Sequence, residues 1–263
     1  MMLPSAPRLR RPVWGLMAFL WLVGSAGLAR PAAQDEPEVQ PAFFWTAEVE
    51  GNSRYLWRGI PWSDGFVVQP SAMMSWRGWS FGLWSNFDGS SGRGLRGLNE
   101  LDFYFSFTKE WPGLTIEPGI NVFTYPGQSD DDPSTVEAAL RLTVPLAGPV
   151  SVFLEQALDL GAYPGGYFGE AGFSLEQQLH PAVVLEAAVS QSFGSKAFNR
   201  AYWDVSRSLL NAAFLRVSLT WSFGGGFFLR SRIEEAVLTG RPIREAAGRG
   251  SFFNFGLAVG LEQ

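Results

Sequence analysis

The sequence predicts an all-β protein: a transmembrane, up-and-down antiparallel β-barrel of about 12 strands, preceded by a cleaved signal peptide. Three observations carry this expectation. Segments of about ten residues alternate apolar with polar side chains. Short connections alternate regularly with long polar ones. Across 263 residues only 17% are charged, whereas 46% are hydrophobic and 15% aromatic.

Arg8, Arg10 and Arg11 precede the apolar run from Val13 to Val23, and small residues then lead to Ala29. This is the three-part pattern of a secretory signal over 1–29, with cleavage after Ala29, or after Ala33 as a second choice. The run is too short to span a bilayer. Residues 30–41, "RPAAQDEPEVQP", lack apolar periodicity and predict a flexible leader, leaving 42–263 for the barrel. No later stretch reaches the ~18 apolar residues of a spanning helix, so a membrane would have to be crossed by strands.

The first strand shows the pattern. Phe43, Trp45, Ala47, Val49, Tyr55 and Trp57 occupy one parity, and Thr46, Glu48, Glu50, Asn52, Arg54 and Arg58 the other. Such alternation marks a strand with one apolar and one polar face. It recurs in Leu101, Phe103, Phe105 and Phe107 against Glu100, Asp102, Tyr104 and Ser106, and in Phe253, Phe255, Leu257 and Val259 against Asn254, Gly256 and Ala258. Strands are expected over about 43–58, 67–76, 79–88, 98–109, 114–125, 135–144, 150–159, 166–178, 182–193, 209–222, 227–237 and 250–261. On this reading Phe103, Phe105, Phe253 and Phe255 face lipid. Tyr55 and Trp57 face outward too, in an aromatic girdle at the headgroups.

Connections two, four, six, eight and ten are tight: Arg77-Gly78, Glu110 to Gly113, Pro145 to Pro149, Leu179 to Pro181 and Gly224 to Gly226. The others are longer and polar, such as "GSSGRGLRG", "PGQSDDDPS" and "GSKAFNRAYWDVSRS". Up-and-down topology then gathers every short turn at one end and every long loop at the other. A closed barrel also leaves no strand edge unpaired in lipid. A soluble β-sandwich would need an outer face rich in Lys and Glu, but the chain has only Lys109 and Lys196, both beside connections.

The polar parity then lines a wet lumen. Its expected lining includes Glu48, Glu50, Arg54, Arg58, Glu100, Asp102, Glu117, Arg141, Arg216 and Arg230. Glu137, Glu155, Asp159, Glu170, Glu176, Glu186 and Arg232 share that parity. Carboxylates outnumber arginines, and rings of charge set channel selectivity, so a passive pore would mildly prefer cations. The alternative is a closed-lumen structural or adhesive barrel acting through its long loops.

The stretch from about Asn52 to Asp88, "NSRYLWRGIPWSDGFVVQPSAMMSW" followed by "GLWSNFD", resembles the TorF porin family of outer-membrane barrels. The resembling residues are Tyr55, the pair Arg58-Gly59, the turn Ser63-Asp64-Gly65, the strand start Gln69-Pro70-Ser71, and Trp84, Asn86 and Asp88. The resemblance implies a barrel in the outer membrane of a Gram-negative bacterium.

Tests for chemistry leave little. The single histidine, His180, sits in the turn "LHP" and has no catalytic setting, so no Ser-His triad and no enzyme is expected. Gly92 to Gly97 matches G-x-G-x-x-G by letter but opens no helix. Asp130 to Asp132 with Glu137 lack the spacing of a calcium loop, so no metal and no cofactor is expected. Zero cysteines exclude disulfides, and a net charge of −5 argues against nucleic acid as partner. The expected partners are outer-membrane lipids, lipopolysaccharide, the barrel-assembly machinery during biogenesis, and small solutes.

Overall fold

The computed structural model describes residues 43–89, 97–126 and 133–263. The expected signal peptide and leader, most of the G-x-G-x-x-G stretch and the Asp130–Asp132 run lie outside the described residues.

In chain order the strands are β1 (Phe43–Asn52), β2 (Tyr55–Trp57), β3 (Ile60–Ser63), β4 (Val67–Trp76), β5 (Trp79–Asp88), β6 (Leu98–Phe107), β7 (Lys109–Trp111) and β8 (Leu114–Thr124). There follow β9 (Thr135–Pro145), β10 (Val150–Asp159), β11 (Tyr167–His180), β12 (Val183–Gly194), β13 (Leu209–Ser222), β14 (Phe227–Leu238) and β15 (Ser251–Glu262). Helices α1 (Lys196–Trp203) and α2 (Arg241–Ala247) lie in the last two long connections.

Strands β6 and β7 both pair with β8 and form one wall strand interrupted at Thr108. Strands β2 and β3 pair only with each other. The rest is a closed, 12-strand antiparallel barrel. It closes where β1 meets β15, from Thr46 opposite Glu262 to Asn52 opposite Gly256. One step further, Trp45 and Gln263 exchange both backbone hydrogen bonds, at 2.9 and 3.0 Å.

Parity decides which side chain meets which medium. Along β15, Phe253, Phe255, Leu257 and Val259 are exposed while Phe252, Asn254 and Ala258 are buried. The outer face of the other strands is apolar in the same way, as at Phe81, Leu83, Phe173, Leu215 and Leu229. Near the short-turn end, Phe43, Trp76, Trp79, Trp111, Trp221 and Phe227 are all exposed, an aromatic collar suited to a membrane interface. A charge on this face must enter hydrocarbon. Phe255→Arg is therefore expected to destabilise the barrel by about 2–4 kcal/mol, less if the site lies near an interface. Denaturant unfolding in lipid vesicles measures it, and an unchanged midpoint would reassign the face.

The first strand is shorter than its alternation suggests. It ends at Asn52, and Tyr55 and Trp57 turn inward, only 3% and 1% exposed. The girdle assignment of these two residues is thus corrected. Alternation reports that one parity is apolar but not whether lipid or a buried aromatic cluster receives it.

Candidate functional site

Residues 53–65, "SRYLWRGIPWSDG", form a hairpin folded into the lumen from the long-loop end. Its two-residue turn is Arg58-Gly59, with φ of +46° and +81°, and Trp57 pairs with Ile60 across it. Two successive positive φ values define the type I′ geometry that suits a tight hairpin. Glycine adopts it freely; arginine does so at a cost of roughly 1–2 kcal/mol, so Arg58 must be held by its side chain. That hold comes from across the barrel. The guanidinium donates Nη1 to Glu137 Oε1 at 2.9 Å and Nη2 to Glu137 Oε2 at 2.8 Å. It lies over the rings of Phe168 and Trp57, 4.3 and 4.6 Å from their centroids. Both partners of the ion pair are buried, with side chains 4% and 2% exposed. A planar, permanently charged fork is the cation suited to a bidentate grip and a stacked site together.

The flanks of the hairpin are apolar and buried: Leu56, Ile60 and Trp62 each expose 6% or less. Trp57 packs edge-on against Tyr202 of α1 at 5.1 Å and near Phe198 at 5.9 Å. Tyr55 meets Trp84 of β5 at 5.4 Å. Ser195 caps α1, accepting from Phe198 N at 3.2 Å, and so aims Phe198 and Tyr202, one turn apart, into the lumen. At the mouth, Gly65 N donates to Ser63 Oγ at 3.2 Å, and Arg54 pairs with Asp64 at 3.3 Å.

The residues that carried the family resemblance assemble around this hairpin. A ladder of side-chain amides crosses five adjacent wall strands. Asn254 donates to Asn52 (2.9 Å), Asn52 to Gln69 (2.8 Å), Gln69 to Asn86 (2.9 Å) and Asn86 to Asn99 (2.8 Å). At its β15 end, Asn254 Oδ1 also accepts from Ser53 Oγ (3.0 Å) and Arg54 N (3.2 Å), which pins the chain where the hairpin departs. Ser71 Oγ reaches Glu48 at 3.4 Å, and Asp88 is buried at the end of β5. Pro70 lies opposite Val49 on β1.

Below the hairpin, the expected lining residues form an interleaved belt of charge. Arg141 pairs with Glu155, Arg216 with both Glu170 and Glu234, Arg230 with Glu48, and Arg232 with Glu50. The last two pairs reach from β14 to β1 over β15, whose inner face there is Gly256 and Ala258. A Cβ at Gly256 would stand 2.5 Å from Asn52 Oδ1 and 2.6 Å from Glu50 Oε1, so a side chain here would push both polar ends aside. Glu117 is buried beside Arg141 on the facing strand. Glu100 and Asp102, 3% and 0% exposed, have no guanidinium partner among the described residues. Instead they accept hydroxyls, Glu100 from Tyr55 and Asp102 from Tyr104 at 2.9 Å. Arg54, expected in the lumen lining, pairs with Asp64 of its own hairpin at the mouth. The mouth is also where Asp64 stays 69% exposed.

Two features escaped the sequence reading. Glu234 shares the parity of Arg230 and Arg232, a signal that was present in the sequence. The inward apolar cluster of Trp57, Trp62, Phe198 and Tyr202 was signalled only by the spacing of Phe198 and Tyr202 behind Ser195, four residues apart as on one helix face. Away from the site, His180 lies in its turn and accepts from Ala182 N at 3.2 Å.

The family model described as "Bacterial protein of unknown function (Gcw_chp)" matches residues 36–208. The chain belongs to the Gcw_chp family. Among solved structures, this family member resembles the KdgM porin, at 10% identity with a TM-score of 0.54, over 82% of this chain and 98% of that one. It resembles the NanC porin at 10% identity and a TM-score of 0.54, over 81% and 97% of the two chains. A KdgM porin described as in complex with disordered oligogalacturonate matches at 10% identity and a TM-score of 0.51, over 83% and 97%. A search of curated proteins returns no match. The shared feature is the fold of outer-membrane porin barrels.

Proposed function

We propose that this Gcw_chp protein is an outer-membrane, porin-like channel for passive passage of small solutes, with a mild preference for cations. The observation that carries the reading is the contrast between the two faces of one closed wall. Its outside is apolar with an aromatic collar, and its inside is lined by ion pairs, carboxylates and amides. A barrel of this strand number has room for a polar lumen. The porin-type fold and the TorF-like stretch around Tyr55 to Asp88 support it. In this reading the long loops face outward toward lipopolysaccharide, and the barrel-assembly machinery inserts the exported chain.

The preference for cations follows from unequal pairing. The lumen arginines are matched by carboxylates, and Glu100 and Asp102 are further acids with no guanidinium partner among the described residues. Refolded protein in planar bilayers should give discrete conductance steps, with reversal potentials in a salt gradient shifted toward the cation. Glu100→Gln with Asp102→Asn should reduce that shift. An unchanged reversal potential in the double variant would remove the acid pair as the source of selectivity.

A further inference from the structure

We propose that the hairpin Ser53–Gly65 is a gate that closes the lumen at rest and is latched across the barrel by Arg58 and Glu137. The inference rests on the pore reading above and deepens it by naming how that pore is regulated.

The hairpin is separable from the wall. Its strands pair only with each other and share no ladder with the barrel, unlike every other strand described. It enters through Ser53 and leaves through Asp64-Gly65, so both attachment points lie at the long-loop mouth and leave the tip free to pivot. The tip spans the lumen. It starts from β1, yet Arg58 grips β9 and stacks on Phe168 of β11. The helix α1 completes the cover, with Phe198 and Tyr202 filling the space beside Trp57. Beneath this cover lies a small cavity of about 70 Å³, roofed by Leu56, Trp57 and Arg58 and walled by Glu170, Arg216 and Glu234. A barrel whose lumen is roofed by one hairpin that shares no ladder with the wall describes a closed channel. Withdrawing the roof would also uncover Glu100, whose carboxylate Tyr55 now engages. The open path therefore gains an acidic wall.

The test compares three chains in planar bilayers: wild type, a chain with residues 56–62 replaced by a Gly-Ser linker, and Gly59→Cys with Ala212→Cys. The cysteine pair is suited to locking the tip, because a Cβ at Gly59 would stand 3.1 Å from Ala212 Cβ, close to the ~3.5–4.5 Å of a disulfide. The chain has no other cysteine. Any strain from the positive φ at Gly59 is common to the reduced and oxidised forms, so only their difference is read. The trimmed chain should raise the time-averaged conductance at least about tenfold over wild type. The cysteine pair should fall silent on oxidation and recover on reduction. Equal conductance in trimmed and wild-type chains, or in oxidised and reduced pairs, overturns the gate while leaving the pore intact. A folded, trimmed barrel that passes no current overturns the pore itself.

Discussion

Replacing Arg58 by alanine is expected to lower the unfolding free energy of the barrel by about 3–5 kcal/mol, as removal of one partner from a buried ion pair does. Glu137 would be left at 1% exposure without its bidentate donor. The stacking of the guanidinium on Phe168 and Trp57 would be lost with it. Arg58→Lys is not a rescue, since a point charge cannot supply the paired grip. Arg58→Gly separates two effects. It loses the latch but relieves the positive φ, so it should be less damaging than alanine by about 1 kcal/mol. Urea unfolding in vesicles gives the order wild type, Arg58→Gly, Arg58→Ala. A midpoint for Arg58→Ala equal to wild type would show that the pair contributes nothing. The latch does not act alone, because burying Leu56, Trp57, Ile60 and Trp62 is worth about 1.5–3 kcal/mol per side chain. Loss of Arg58 should thus loosen the hairpin rather than expel it.

The wall was legible because each strand repeats one binary choice. Phe253 to Val259 could face only one way once Asn254 faced the other. The tight turns at Arg77-Gly78, Pro112-Gly113 and Gly224 to Gly226 fixed where each strand reversed. The same parity brought Arg230 and Arg232 inside with Glu48 and Glu50, though they lie far apart in the chain. The hairpin was not legible for a physical reason. After Asn52 the alternation continues through Tyr55 and Trp57, and nothing local says that their partners are Trp84, Phe198 and Tyr202 and not lipid. The Arg58-Gly59 turn also lacks the usual Asn-Gly or Asp-Gly signature, because a contact to Glu137 79 residues away compensates for its strained φ. Helix α1 was hidden in a connection whose polar residues outnumber the aromatics that dock it.

The amide ladder offers the second large effect. Gln69 is 3% exposed, accepts from Asn52 and donates to Asn86, and has no other side-chain partner among the described residues. Gln69→Leu keeps similar bulk and breaks both bonds at once. It leaves the Asn52 donor and the Asn86 acceptor buried, each costing about 1–3 kcal/mol, so about 2–6 kcal/mol in all. The damage has a direction. Asn52 is also held by Asn254, and Asn254 holds Ser53 and Arg54 at the root of the hairpin. Slack introduced at Gln69 should therefore reach the hairpin through Asn52 before it reaches the belt of ion pairs below. Protease nicking near Pro61 should rise in the folded variant, with the denaturant midpoint lowered and the slope unchanged. Val68→Leu, on the lipid-facing side of the same strand, should stay within about 0.5 kcal/mol of wild type. If Gln69→Leu unfolds as wild type does, the amides contribute no net stability. If its midpoint falls without greater nicking, the ladder supports the wall and not the hairpin.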